Sequence, residues 1–461
     1  MRNSHLALIG LLLLFAALPA TAQSNFDSVV IRRISDEILR NGKAYENLRV
    51  LCKDVGPRLS GSAGAEKAIV ETARMLREAG ADTVFLQPCM VPRWVRGARE
   101  EAYVTMAGGK RQPLRVVALG NSVGSSKEGV SGTLVEVNDF AELERLGRSG
   151  IEGRIVFFNH PMDPTLVQTF RAYGQAGTYR SNGPSQAAKY GAVGVVIRSL
   201  ASNVDDHPHT GAMRYNDSFP KLPAVAISTK DAEMLSAQLQ KGAVRNFWFR
   251  SNAQMLADVP SFNVIGELRG SELPNEIITV GGHLDSWDLA EGAHDDGSGC
   301  VQSIEVIRVM KALGIRPKRT VRAVMFMNEE NGLRGGTAYA DAAKLDTGRK
   351  YIFALESDAG GFTPRGFGVS GTPAQFRKVA SWAPLFHPYG AADIVSGGGG
   401  ADIGPLRSLG TALAGFTPDS QRYFDVHHAE SDVFEAVSPR ELHLGAVVMA
   451  AMVYLVGAYG L

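Results

Sequence analysis

The chain is poor in cysteine. Its 461 residues contain only three, and none stand in a Cys-x-x-Cys pair, so any metal site must use histidine and carboxylate ligands. Cys52 and Cys89 could pair as a disulfide in an oxidising compartment. Cys300 follows Gly299 at the start of an apolar segment, where a small buried side chain is expected.

Net charge and long apolar runs are also scarce. Lys+Arg 48 against Asp+Glu 47 leaves a formal charge of +1, so no nucleic-acid partner is expected. The apolar run 6–18 is short and precedes Ala20-Thr21-Ala22, a small-residue cleavage site, so residues 1–22 are predicted to be a signal peptide. The protein is therefore expected to be exported, to a periplasm or the medium.

The second apolar run, 444–461, raises the question of a membrane helix. It is short, contains three glycines, and has no basic residue behind it. A buried terminal helix is the better interpretation, and no membrane partner is expected.

The remaining pattern divides the chain into two predicted domains. Residues 23–98 and 253–461 form the first, because strand and helix patterns alternate after residue 262. Such alternation predicts an α/β fold with a mixed, mostly parallel sheet flanked by helices. Short strand-like runs recur between 99 and 252, with one helical segment at 185–190, which predicts an inserted mainly-β domain. A polar loop of this insert, 205–211, could bind a metal or simply lie at the surface.

Histidines and carboxylates follow the predicted strands of the first domain. The strand predicted at 276–280 leads to His283 and Asp285, the strand at 319–327 to Glu329 and Glu330, and the strand at 351–355 to Asp358. Carboxyl ends of parallel strands share one edge, where open α/β sheets place their active sites. Two histidines and several carboxylates could hold two zinc ions and activate a water, so hydrolysis is the leading hypothesis.

The residues allow individual roles within such a site. His283 could bind a metal while the Asp285 side chain accepts a hydrogen bond from its other ring nitrogen. Adjacent Glu329 and Glu330 repel each other, so one should bind a cation and the other keep a raised pKa as a general base. Three choices stay open from spacing alone: a bridging Asp295 or Asp296 with the other capping a helix, Asp358 or Glu356, and His427 or His428.

Several motifs together resemble one family. These are Gly-Gly-His-Leu-Asp-Ser-Trp-Asp at 281–288, Gly-Ala-x-Asp-Asp-Gly at 292–297, Arg-Pro-Lys-Arg-Thr at 316–320, Glu-Ser-Asp-Ala-Gly at 356–360 and His-His-x-x-x-Asp at 427–432. The chain resembles the co-catalytic dizinc aminopeptidases and carboxypeptidases, closest to their plasma glutamate carboxypeptidase branch. The insert resembles a protease-associated domain.

The resemblance implies a role for each residue. One zinc would be held by His283 and Asp358, and the other by Glu330 and His428. Asp295 would bridge the two ions, Glu329 would be the general base for the water between them, and Asp285 would orient His283. Many relatives have a tyrosine immediately before the last zinc-binding histidine, where this chain has His427. The oxyanion is therefore expected to be steadied by either His427 or Tyr423.

The expected function is an exopeptidase acting on small peptides, in particular dipeptides, with Arg334 as a candidate for the substrate carboxylate. An alternative is an aminopeptidase, which needs a carboxylate near the free amine, for which Glu356, Asp402 and Asp288 are candidates. A third is an inactive binding protein of the same fold. The resemblance further suggests a homodimer, and an insert that covers the cleft.

Overall fold

The computed structural model describes residues 25–461, so the predicted signal peptide lies outside the described residues. The described residues form seventeen strands: β1 Thr83–Val95, β2 Glu101–Met106, β3 Arg111–Leu114, β4 Val116–Ala118, β5 Val130–Gly132, β6 Leu134–Val137, β7 Ile155–Phe158, β8 Gly194–Arg198, β9 Ala224–Ile227, β10 Val244–Arg250, β11 Gln254–Leu268, β12 Leu273–His283, β13 Arg319–Phe326, β14 Lys350–Glu356, β15 Pro364–Ser370, β16 Asp393–Ser396 and β17 Ala412–Pro418.

The α-helices lie before, between and after these strands. They are α1 25–41, α2 Ala44–Arg49, α3 Ala63–Glu78, α4 Phe140–Ile151, α5 Thr169–Lys189, α6 Thr229–Gln240, α7 Ser298–Ala312, α8 Arg334–Leu345, α9 Pro373–Ala380, α10 Ala383–Phe386, α11 Tyr423–Val426 and α12 Pro439–Tyr459. Short π-helical or 3-10 turns occur at Val50–Val55, Ala293–Gly297, His387–Tyr389, Gly404–Leu409 and Phe434–Ala436.

The main sheet has eight strands in the order β1-β11-β13-β12-β14-β17-β15-β16. Its four central strands, β13, β12, β14 and β17, run parallel, and the antiparallel pairs lie on either side of them. This is the mixed α/β sheet that the alternation predicted. The carboxyl ends of the four parallel strands therefore share one edge.

The helices flanking this sheet are apolar where they face it. α7 is buried over most of its length and packs against β12, β13 and α12. α12 is the one helix within 25–461 that is long and apolar enough to cross a membrane, and 72% of that apolar window is buried inside the protein. α12 is thus the buried terminal helix that the sequence indicated, and it contributes its side chains to the main core.

The insert between β1 and β11 has two sheets of its own, which share no strand with the main sheet. One is antiparallel, in the order β3-β2-β10-β5, and the other has the order β4-β9-β8-β7-β6 with three parallel pairs. The insert also contains α4, α5 and α6, so it has more helix than the single segment predicted at 185–190. α5 begins as early as Thr169, and its glycines and Pro184 hide it because both residue types disfavour helix interiors.

The three cysteines are free and buried. Cys52 lies in the π-helical turn after α2, and Cys89 lies in β1, so the disulfide considered between them does not form. Burial raises the pKa of the Cys300 thiol, which fits its expected place as a small core side chain.

Candidate active site

The four parallel strands bring the predicted site residues to one edge. β12 ends at His283, β13 ends three residues before Glu329, and β14 ends two residues before Asp358. β17 ends at Pro418 and leads into the loop that carries the histidine pair. The strand-end argument from the sequence therefore describes the observed arrangement.

A first group of ligand atoms surrounds the His283 imidazole. Its Nε2 lies 3.1 Å from Asp295 Oδ1 and 3.4 Å from Asp358 Oδ1. Its Nδ1 lies 2.9 Å from the backbone oxygen of Asp285. Because that carbonyl can only accept, Nδ1 carries a proton, and Nε2, between the two carboxylates, is the nitrogen that would bind a metal.

A second group surrounds His428. Its Nε2 lies 3.1 Å from Glu330 Oε2 and 3.3 Å from Asp295 Oδ2, while its Nδ1 lies 3.2 Å from the backbone oxygen of Thr210 in the insert. His428 therefore also carries a proton on Nδ1, and its Nε2 is the nitrogen that would bind a metal. His427 also reaches Asp295, with Nε2 3.5 Å from Oδ2, and its ring stacks on that of His428 at 3.6 Å between centroids.

Two compact sets of ligand atoms therefore share Asp295. In each set the atoms lie within 4.8 Å of one another: His283, Asp295 and Asp358 in one, and Asp295, His427 and His428 in the other. The second set contains His427 where the sequence suggested Glu330. Glu330 is the nearer partner of His428, at 3.1 Å, so both side chains are available at this position.

Two further aspartates, Asp296 and Asp432, bind backbone N–H groups around Asp295. Because Asp296 is occupied in this way, Asp295 is the member of the pair that faces both ligand groups. Asp296 accepts the backbone N–H of His283 and that of Gly299, both at 3.0 Å, so it ties β12 to the first turn of α7. A Cβ on Gly282 would overlap the Asp296 carboxylate, which explains the glycine before His283. Asp432, whose role the sequence did not reveal, accepts the backbone N–H of Asp295 at 3.1 Å.

The Asp285 side chain does not make the contact predicted for it. Its Oδ1 lies 3.9 Å from His283 Nδ1, and the backbone carbonyl orients the imidazole instead. The carboxylate accepts the backbone N–H of Asn328 at 2.7 Å and that of Glu329 at 3.0 Å. Asp285 therefore fixes the loop that presents the glutamate pair, because those two donors are nearer than the ring.

Burial and crowding shift the pKa values of the group. Burial, together with the charges of Asp358 and Asp295, raises the pKa of Glu329 to about 8. Burial and the charge of Asp295 raise the pKa of Glu330 well above its usual value, so both members of the pair are affected. Burial would also raise the pKa of Asp295, but the hydrogen bond with His283 and the charges of His427 and His428 bring it below its usual range.

The pKa values of His283 and His428 are shifted in opposite directions. Burial lowers the pKa of His283, but hydrogen bonds with Asp295 and Asp358 outweigh it and raise the pKa well above 6.5. Burial and the neighbouring His427 lower the pKa of His428 well below that value. So many buried carboxylates cannot all ionise together unless cations lie between them.

The side-chain atoms fit divalent cations. Asp295 Oδ2 and Glu330 Oε1 are buried and accept no hydrogen bond. Asp295 Oδ2 lies 3.3 Å from His428 Nε2 and 3.5 Å from His427 Nε2. Imidazole nitrogens and carboxylate oxygens are the ligands of a nitrogen- and oxygen-bound transition metal. Unsatisfied buried oxygens are costly, and a cation would satisfy them.

A cavity of about 520 Å³ opens onto both groups. The domain of the main sheet contributes Glu329 and Asp358 to its wall, together with Tyr423, and the insert contributes Arg180 and Tyr173. Burial keeps the pKa of the Tyr423 hydroxyl well above its ordinary value, so it stays protonated. The volume suits a small ligand such as a dipeptide.

The other predicted substrate contacts lie away from this cavity. Arg334 is exposed at the start of α8. Asp402 is fully buried, with neither carboxylate oxygen partnered, and does not line the cavity. Glu356 accepts the backbone N–H of Ile403 at 2.9 Å, and Asp288 pairs with Arg96 at 2.6 Å, so both are occupied elsewhere.

The end of the loop 205–211 of the insert is buried against the histidine pair, and neither ligand set found within residues 25–461 includes a residue of this loop. His209 Nδ1 donates to the His427 carbonyl at 2.6 Å, and the Thr210 backbone N–H donates to the His428 carbonyl at 3.0 Å. Both residues are buried. The loop therefore binds the backbone of His427 and His428 through these two hydrogen bonds.

Residues 263–453 match the model of peptidase family M28. The chain is 36% identical to human (Homo sapiens) carboxypeptidase Q over 414 residues, which cover 90% of this chain and 85% of that protein. The chain belongs to peptidase family M28. The Xenopus laevis carboxypeptidase Q is 34% identical over the same length, covering 90% of this chain and 86% of its own.

Solved structures agree with this membership. A peptidase M28 precursor from Shewanella amazonensis superposes with a TM-score of 0.89 at 30% identity, covering 95% of this chain and 98% of its own. BSAP, a zinc aminopeptidase from Bacillus subtilis, has a TM-score of 0.64 at 20% identity, covering 89% and 94%, and shares the fold. This M28 chain is therefore an exopeptidase with the fold of its family.

Proposed function

We propose that this M28 peptidase is a zinc-dependent exopeptidase that cleaves small peptides, in particular dipeptides. The observation that carries the proposal is the pair of ligand groups sharing Asp295, with Glu329 on the wall of the same cavity. Related proteins include carboxypeptidases and zinc aminopeptidases. The cavity of about 520 Å³ favours short substrates over folded proteins.

Two zinc ions are expected, with separate ligands and one shared ligand. His283 and Asp358 would hold the first, Glu330 and His428 the second, and Asp295 would bridge them. Glu330 is preferred to His427 because its oxygen lies 3.1 Å from His428 Nε2, whereas His427 Nε2 is 3.5 Å from Asp295. The zinc ions, when bound, would acidify a water and polarise the scissile carbonyl.

Glu329 would then take the proton of the attacking water and pass it to the leaving amine. Its raised pKa suits both steps, since a carboxyl group that titrates near neutral pH can accept and return a proton. Asp285 holds the Glu329 backbone in position. His427 and Tyr423, on the same wall, are the two candidate donors to the oxyanion.

The direct test is Glu329→Gln in the zinc-loaded protein. The amide cannot accept the water proton, so dipeptide hydrolysis should fall at least about 10²-fold, while folding and zinc content stay unchanged. The matched control is Glu144→Gln, on the exposed face of α4 outside the cavity, which should keep full activity. Wild-type turnover in Glu329→Gln would refute the assignment, and chelation should abolish wild-type activity until Zn²⁺ is added.

The aminopeptidase alternative depends on which peptide end is recognised. A free dipeptide, an N-acetylated dipeptide and a C-amidated dipeptide separate the two cases. Loss of cleavage on acetylation alone indicates an aminopeptidase, and loss on amidation alone indicates recognition of the carboxyl end. A purified protein without metal and without hydrolysis would support the inactive binding protein instead.

The organisation of the chain completes the proposal. Residues 23–98 and 253–461 would form the peptidase domain and 99–252 a protease-associated domain, since the strands in 101–250 form their own sheets. The apolar run and cleavage site before Gln23 support export.

A further inference from the structure

A buried arginine of the insert faces the catalytic cavity. Arg180 on α5 lines the same cavity as Asp295 and Glu329, and it is only 9% exposed. Its Nη2 donates to the Tyr173 hydroxyl at 2.7 Å, and its Nη1 reaches the Thr210 carbonyl at 3.5 Å. The Nε atom is buried without a partner. A guanidinium has five N–H donors, so much of its hydrogen-bonding capacity is unused.

Arg180 also lacks a partner of opposite charge. Within residues 25–461 no carboxylate oxygen lies within 4.0 Å of its guanidinium nitrogens, and its named partners are a hydroxyl, a carbonyl and the Tyr173 ring. A buried cation without a counter-charge is unfavourable. The cost is relieved if the cavity receives an anion beside it.

The position of Arg180 relative to the ligand groups limits where that anion lies. A Cβ on Gly211 would overlap Arg180 Nη1 and stand 2.7 Å from His428 Nδ1, so the guanidinium lies immediately behind the His428 ring. The opposite edge of that ring faces Asp295 and Glu330. An anion at Arg180 would therefore be held beside the place where the peptide bond is cleaved.

We propose that Arg180 binds a carboxylate of the peptide substrate. A carboxylate that enters the cavity can accept charge-assisted hydrogen bonds from the guanidinium, which select its negative charge and its planar geometry together. Glu329 lines the same cavity, so a C-terminal carboxylate held there would bring the C-terminal peptide bond toward the proposed general base. The inference rests on the proposed peptidase function and makes it a carboxypeptidase or dipeptidase rather than an aminopeptidase.

Three substrates test this with the zinc-loaded wild-type protein: Leu-Ala, Leu-Ala amide and Leu-Glu amide. Leu-Ala should exceed Leu-Ala amide in kcat/KM by at least about 10-fold, as expected for a charge-assisted hydrogen bond. If Leu-Glu amide is cleaved as well as Leu-Ala, the bound carboxylate is that of the side chain. Equal values for all three would overturn the proposal, and this comparison needs no variant to fold.

Variants connect the preference to Arg180. Arg180→Gln should lower kcat/KM for Leu-Ala by about 10- to 10²-fold and leave Leu-Ala amide nearly unchanged, so that the preference disappears. Arg180→Lys keeps the charge but loses the fork of donors and should give an intermediate preference. The control is Arg171→Gln, the same substitution on the exposed face of α5, which should keep the wild-type ratio.

A binding measurement separates this proposal from the peptidase function. Calorimetry on zinc-loaded Glu329→Gln measures affinity for Leu-Ala and Leu-Ala amide without turnover. Tighter binding of Leu-Ala that is lost on adding Arg180→Gln supports the carboxylate site, even if the wild-type protein hydrolyses neither. Hydrolysis of both peptides with no difference in affinity keeps the peptidase function and overturns the role of Arg180.

Discussion

The two halves of the active site are anchored in the same way by different parts of the molecule. His283 Nδ1 donates to the Asp285 carbonyl two residues away, and His428 Nδ1 donates to the Thr210 carbonyl, 218 residues away in the insert. Both bonds leave Nε2 free to bind a metal. The His283 half is thus built by the peptidase sheet alone, whereas the His428 half needs the insert.

The two halves differ because the backbone conformations at His283 and His428 are stabilised in different ways. His283 ends β12, whose register is fixed by parallel neighbours on both sides. His428 lies in a loop with φ of 63°, a left-handed conformation that costs a non-glycine residue about 1–2 kcal/mol. The contacts from His209 and Thr210 stabilise that conformation. An insert that merely covered the cleft would make no such contacts.

The strongest test of this comparison is Gly211→Ala. The new methyl group would overlap Arg180 and crowd His428, and the backbone φ of 133° is itself unfavourable for alanine. We expect zinc affinity at the His428 half to fall about 10- to 100-fold, as when a partner that orients a metal ligand is disturbed. Metal analysis after dialysis against a weak chelator should find one tightly held zinc per chain, against the two proposed for the wild type.

The control is Gly242→Ala in the same insert. Gly242 also has a positive φ, 64°, but its added Cβ would meet nothing within 4 Å. The substitution introduces alanine at another positive φ of the insert without touching the site, so zinc binding should match that of the wild type. Equal zinc content in Gly211→Ala and the wild type would show that the insert does not support the His428 half.

A smaller effect concerns the pH dependence of the metal-free protein. The folded pKa is raised to about 8 for Glu329 and to about 7 for Glu356 and Asp432, chiefly by burial. Each carboxyl group keeps a proton in the folded state that it has lost in the unfolded state at neutral pH. Raising the pH through 7 to 8 removes these protons, so the free energy of unfolding should fall.

Calorimetry in the presence of a chelator should show this as a falling Tm between pH 7 and 8. The free energy of unfolding should fall by up to about 1.4 kcal/mol per pH unit for each proton that is bound in the folded state only. The measurement starts above pH 6.5 because the lowered pKa values of His427 and His428 make the free energy of unfolding rise with pH below that point. Zinc supplies the missing counter-charge and should flatten the curve. A metal-free Tm that rises over this range would contradict the crowding of carboxylates.

The difference between the His283 half and the His428 half also explains which site residues could be predicted from the sequence. His283, Glu329, Glu330 and Asp358 follow apolar strands directly, so a strand pattern and the edge rule bring them together. Asp285 was correctly placed near His283, but sequence spacing cannot distinguish a contact by its carbonyl from one by its side chain. These residues are all carried by the main sheet or the loops after its strands, although the Glu330 side chain reaches across to His428.

The insert's contribution could not be predicted in this way. Arg180 lies in a helix that contains glycines and Pro184, which lack the usual helical signal, and the chain must fold back across the domain boundary before it meets His428. Thr210 acts through its backbone carbonyl, which carries no residue-type signal at all. Long-range contacts of this kind require the tertiary structure.

The smallest effect is expected from Arg334→Gln. Arg334 was the sequence-based candidate for the substrate carboxylate, but it is exposed at the start of α8 and does not line the cavity. Surface substitutions of this kind change free energies by about 0.5 kcal/mol or less, so kcat/KM for Leu-Ala and its amide should both stay within about twofold of the wild type. A selective loss for Leu-Ala would instead move carboxylate recognition to the peptidase half. The insert would then support His428 without taking part in choosing the substrate.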